Sequence, residues 1–158
     1  MSVTDQIGKH MRAVYLGGNW TDVHLKKVLA DVTWQEATKQ VDSCNTIATL
    51  VFHMNYFIHV VIKVLEGGPL EGNDKLSFDH PPIHSPEDWD NFLEQSWKAV
   101  ETFASLIEKM PEATIWEYPG DQKYGNYYFN LHGIIEHTHY HLGQIVLVKK
   151  LLKQTNPT

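Results

Sequence analysis

The chain has 158 residues, 42% of them apolar and 20% charged, with a formal net charge of -6. That length suits one domain, expected over residues 1–158, with one substantial core. The composition is globular rather than disordered or fibrous, and the negative balance argues against a nucleic-acid partner, which would need a basic face.

Ser2-Val3-Thr4-Asp5 has the form of a capping box and predicts a helix running to Leu16, where Gly17-Gly18 stops it. No basic segment followed by an apolar one precedes it, so no secretory signal is expected. A short helical piece follows over about Asp22 to Ala30, and Thr33-Trp34-Gln35-Glu36 reads as another capped turn. Cys44, the single cysteine, cannot close an internal disulfide, which fits a reducing compartment. It reads as a packed thiol near a helix start.

A second long helix is expected from about Asn45 to Leu65, ended by Gly67-Gly68-Pro69. Lys63 interrupts its apolar run short of the roughly 20 residues that span a bilayer. The expectation is therefore a cytoplasmic protein with no membrane partner. Residues 66 to 84 form a connection rich in Gly, Pro, Asp and Asn. Ser85-Pro86-Glu87-Asp88 then starts a third long helix, with a capping serine, a proline in the first turn and acids at its positive end. It continues to about Met110, with Trp89, Trp97 and Phe103 at helical spacing as core aromatics. After a turn at Pro119-Gly120-Asp121, a fourth long helix runs from about Asn126 to Lys153. The fold class expected is all-α, a four-helix bundle. Its two middle connections are long enough to cross the bundle, so up-down-up-down order is not forced.

The chemistry lies in the histidines. His137 and His141 stand four residues apart on the last long helix, one turn from each other on one face, where two imidazoles can hold one cation. At about 100° per residue they share a stripe with Asn130, Ile134, Gln144 and Val148. On the second long helix His53 shares a stripe with Leu50, Phe57 and Val60. Both positions fall near mid-helix, so a common layer is geometrically easy. A lone histidine on an apolar face is more often a core residue hydrogen-bonded to a neighbour. Three on facing inward stripes are hard to satisfy without a shared cation. His24, His59, His132 and His139 read as surface residues, and His80 and His84 as loop residues. Tyr56, Asn130 and Gln144 are candidate partners for the ligands or for a substrate. Glu136, about 100° off the stripe, is a weaker candidate for a general base.

A mid-helix His53 followed far downstream by His137-Thr138-His139-Tyr140-His141-Leu142-Gly143-Gln144 resembles the DinB superfamily over nearly the whole chain. The resemblance implies a DinB-like four-helix bundle binding a divalent metal ion, zinc or nickel, through His53, His137 and His141. Gly143 and Gln144 match the motif without being ligands. Glu136 and Leu142 stand where that motif commonly has Asn and Arg, which removes any role of such an arginine here. The relatives imply homodimers acting on small-molecule substrates, some with a low-molecular-weight thiol as cofactor. The expected function is thus a metal-dependent enzyme: a thiol-dependent transferase acting on a small electrophile, or a hydrolase. The alternatives are a non-catalytic metal-binding bundle with a structural, buffering or stress-response role, and a partner-binding module.

Overall fold

Capping side chains set where the long helices begin. Ser2 Oγ accepts from the Asp5 amide, 3.1 Å, while Asp5 accepts from the Ser2 amide, which starts α1, Val3–Leu16. Thr46 caps α4, Ile47–Leu65, and Ser85 with Pro86 in the first turn opens α5, Pro86–Lys109. Asn126 accepts from the Phe129 amide at the start of α6, Tyr127–Thr155. Two five-residue helices, α2 at Leu25–Leu29 and α3 at Trp34–Thr38, lie between α1 and α4. This computed structural model describes residues 1–155; the last three residues of the expected domain, 156–158, lie outside the described residues. Among the described residues there is no strand.

α2 is shorter than the expected Asp22–Ala30 because Asp22 has φ 53, in the left-handed region, and His24 caps the helix by accepting from the Lys27 amide. His24 is therefore half-buried rather than on the surface. α4 ends in a Schellman pair: the Gly68 amide donates to Lys63 O and the Gly67 amide to Val64 O, with Gly67 at φ 89. By length and composition α4 would suffice to cross a membrane despite Lys63, but most of it is buried inside the protein.

Side-chain pairs fix the helix directions. Tyr15 packs edge-on against Trp97, and Arg12 pairs with Glu101 and Glu108, so α1 and α5 are antiparallel. They approach closely at Gly8, where a Cβ would lie 3.0 Å from Ala104 O. Phe52 stacks on Phe92 and Asn55 bonds Ser96, so α4 and α5 run parallel. Leu50 sits with Val148 and Leu65 with Tyr127, so α6 is antiparallel to α4. It runs parallel to α1, as the His10–His139 and Gln6–Tyr128 neighbours indicate. The direction sequence is up, down, down, up. The chain must therefore travel back along α4 before α5 can begin, and residues 66–85 do this. Gly72 faces Phe57 and Val60, the Asn73 amide bonds Tyr56 Oη, Ser77 meets His53, and His80 meets Phe52. The core between the long helices holds Met11, Tyr15, Leu50, Met54, Phe103 and Ile145, all fully or almost fully buried, with Trp89 donating to Val32 O at 2.9 Å.

Candidate metal centre

The structure brings His53, His137 and His141 together, with one ring nitrogen from each within 4.8 Å of the others. His53 on α4 and His141 on α6 are buried, and His137 is half-buried. His137 presents its Nε2 to the Nε2 of each of the other two. His137 Nε2 lies 3.0 Å from His53 Nε2 and 3.0 Å from His141 Nε2. Three nitrogens on a tetrahedral cation with bonds of about 2.0–2.1 Å would stand roughly 3.3 Å apart, close to these two separations.

The outer nitrogens decide the tautomers. Ser77 Oγ donates its proton to Asp74 O at 2.6 Å, which leaves it only able to accept from His53 Nδ1–H, 2.7 Å away. Gln144 Oε1 can only accept, so His141 Nδ1, at 2.7 Å, carries the proton there. Both imidazoles therefore turn an unprotonated Nε2 inward, the form that binds a metal. A single N–H on His137 could satisfy only one of these two lone pairs, whereas a shared cation satisfies all three nitrogens. The residues present fit a divalent metal ion, and together they could bind one.

Burial is the first cause that lowers the proton affinity of each ring. His137 is pushed down to about 4, with His141 and then His53 adding to the effect. His53 is lowered by burial and by His141, and His141 by burial, partly opposed by its bond to Gln144. All three are neutral at pH 7 and available as ligands. Phe78 stacks on His53 with ring centres 4.1 Å apart, Phe57 meets both His53 and His137 edge-on, and Tyr140 flanks His141 at 4.9 Å. These rings wall the cluster with apolar surface.

The other sequence candidates divide. Gln144 joins the cluster. Tyr56 does not: its hydroxyl accepts from the Asn73 amide, 2.8 Å, and anchors the returning connection. Asn130 sits on the predicted stripe but donates to the Tyr124, Gly125 and Asn126 carbonyls, closing the start of α6. Glu136 is exposed. His132 and His139, expected at the surface, are half-buried, and His139 lies beside His10 of α1. Ser77 was invisible to periodicity, because it sits on the connection and reaches His53 across 24 positions of chain.

No family model, curated protein or solved structure matches the chain.

Proposed function

We propose that the chain is a metal-dependent enzyme of the DinB-like type, a four-helix bundle in which His53, His137 and His141 hold zinc or nickel. The observation that carries this reading is the pair of inward lone pairs on His53 and His141, fixed from outside by Ser77 and Gln144. A divalent cation held by three imidazoles keeps a position open and lowers the pKa of a water or thiol there toward neutrality. The chain's own residues supply the rest: Ser77 and Gln144 orient the ligands, and Phe57 and Phe78 exclude water from one side of the cluster. The activity proposed is thiol transfer to a small electrophile, or hydrolysis of one; the choice of thiol rests on the resemblance alone.

One observation favours the non-catalytic alternative, a cation that only locks α4 to α6. A hollow of about 390 Å³ beside α4 lies against α5, and none of the three histidines lines it. Metal analysis of untagged protein, followed by a screen of thiols and electrophiles with metal-loaded and chelated samples, decides between them. Stoichiometric zinc or nickel with metal-dependent turnover supports the enzyme. Metal without turnover, together with unfolding on chelation, supports the lock.

We also propose, from the resemblance alone, that the chain is a homodimer, with the outer face of α6 as its contact. Phe129, Tyr140 and Leu147 are 68%, 66% and 56% exposed, and a Cβ at Gly133 or Gly143 would meet nothing within 4 Å. The series Phe129, Gly133, Glu136, Tyr140, Gly143, Leu147 is spaced symmetrically about residue 138. A two-fold axis level with residue 138 would set glycine against glycine and the Glu136 carboxylate against a tyrosine hydroxyl in an isologous antiparallel pairing.

A further inference from the structure

A hollow of about 270 Å³ lies between the start of α4 and the second half of α6, walled by Leu50, Leu147 and Val148 and edged by Ser43, Asn45 and Gln144. None of the three histidines lines it, but Gln144, which does, bonds His141, and Leu50 precedes His53 by three residues as Gln144 follows His141 by three. On a helix that displacement is just under one turn, about 4.5 Å along the axis.

Gln144 belongs to both places, and its bond to the cluster fixes what it offers the hollow. Its Oε1 is held by His141 Nδ1–H at 2.7 Å. The other end of the carboxamide is an NH2 group, with two donors and no capacity to accept. Among the described residues no hydrogen bond reaches that nitrogen, nor the side chains of Ser43 or Asn45. No acidic side chain lines the hollow. An atom that satisfies Gln144 from this side must therefore be an acceptor, and Ser43 and Asn45 can add donors to it. The aliphatic wall suits a short hydrocarbon segment carrying that acceptor.

We propose that this hollow is an anchoring subsite for the carboxylate or amide oxygen of a small molecule whose other end reaches the metal, with Gln144 as the residue that reads the oxygen. The inference rests on the metal-site reading above and adds to it the class of substrate: a compound with an sp2 oxygen about three or four bonds from the atom that meets the metal. Gln144 then has two roles, positioning His141 through Oε1 and binding substrate through Nε2.

The test uses full-length protein loaded with Co(II), whose thiolate charge-transfer absorption reports thiol binding without any turnover. Three probes of matched length are titrated: 3-mercaptopropionate, 3-mercaptopropionamide and 1-propanethiol. The wild type should bind the acid or the amide about tenfold more tightly than propanethiol, the worth of one well-made hydrogen bond to the oxygen. Which of the two binds better identifies the carboxylate or the amide as the recognised group. Gln144→Glu keeps an oxygen for His141 Nδ1–H but turns a second oxygen into the hollow, so the preference for the acid should vanish or reverse. The ratio to propanethiol is the readout, so a change in Co(II) affinity cancels. Equal affinity for all three probes in the wild type overturns the subsite while leaving the metal site standing. A preference for the acid that survives in Gln144→Glu overturns the role of Gln144, and Asn45→Leu shows whether that edge carries it instead; the amide is not read in this variant, because its NH2 can donate to the new carboxylate. Failure to bind Co(II) at all removes the metal site, and the subsite with it.

Discussion

Replacing Ser77 by alanine isolates the part of the site that the returning connection supplies. Ser77 is fully buried and His53 is 5% exposed, so no water replaces the lost hydroxyl at His53 Nδ1. Two costs follow. The apo protein keeps a buried N–H without an acceptor, a loss of about 1–3 kcal/mol. It escapes part of that loss by moving the proton to Nε2, and a proton there blocks metal. Removing the partner that fixes the tautomer of a ligand histidine lowers affinity by roughly 10- to 100-fold. The bond in question is short, 2.7 Å, and Ser77 is the only hydrogen-bond partner of His53 Nδ1 among the described residues, which points to the upper half of that range. Competition for zinc and nickel against a chromophoric chelator measures the affinity, and urea unfolding of the metal-free protein measures the stability. Ser77→Thr, which retains the hydroxyl, should recover most of both. Wild-type affinity in Ser77→Ala would refute the assignment of the tautomer by Ser77, and with it the argument for a preset lone pair on His53.

His141→Ala should lose tight metal binding and any metal-dependent turnover while remaining folded at ambient temperature, since buried side chains such as Leu50, Phe103 and Ile145 each contribute about 1.5–3 kcal/mol. Unfolding of both this variant and the chelated wild type at that temperature would instead show that the cation holds the fold together. Metal-free protein should lose stability as pH falls. His137 takes up its proton near 4 in the fold and near 6.5 when unfolded, so below 6.5 the unfolded chain binds protons that the folded one refuses. Nothing is lost above that window; within it, His137 alone costs about 2 kcal/mol between about pH 7.5 and about pH 5, and a flat stability profile there would contradict the burial of an unprotonated ring. Light scattering should give a dimer mass for the wild type and a monomer mass for Leu147→Glu, which sets an unpaired carboxylate against apolar surface in the α6 contact; a monomeric wild type removes that contact.

What the sequence revealed and what it hid follow from the range of each signal. Caps and periodicity act within one turn or one helix, so Ser2, Thr33 and Ser85 marked the helix starts, and the 3.6-residue repeat put His53, His137 and His141 on inward faces. The same repeat grouped Asn130 and Gln144 on one stripe, yet only Gln144 meets the histidines. A stripe gives an angle about the helix axis and leaves the height along it open, and Asn130 lies two turns below His137, where the unpaired carbonyls of residues 124–126 claim its amide. Ser77 lay beyond either signal for a further reason. Because α4 and α5 run parallel, some part of the connection had to pass His53, but chain length does not say which part. Leu65 is 12 residues from His53, about 18 Å along the helix. The 12 residues from Glu66 to Ser77 reach about 40 Å when extended. That twofold slack lets any of several residues stand against His53. The register is chosen instead by contacts that form together: Asn73 on Tyr56, Phe78 stacked on His53, and the Ser77 hydroxyl between Asp74 O and the imidazole.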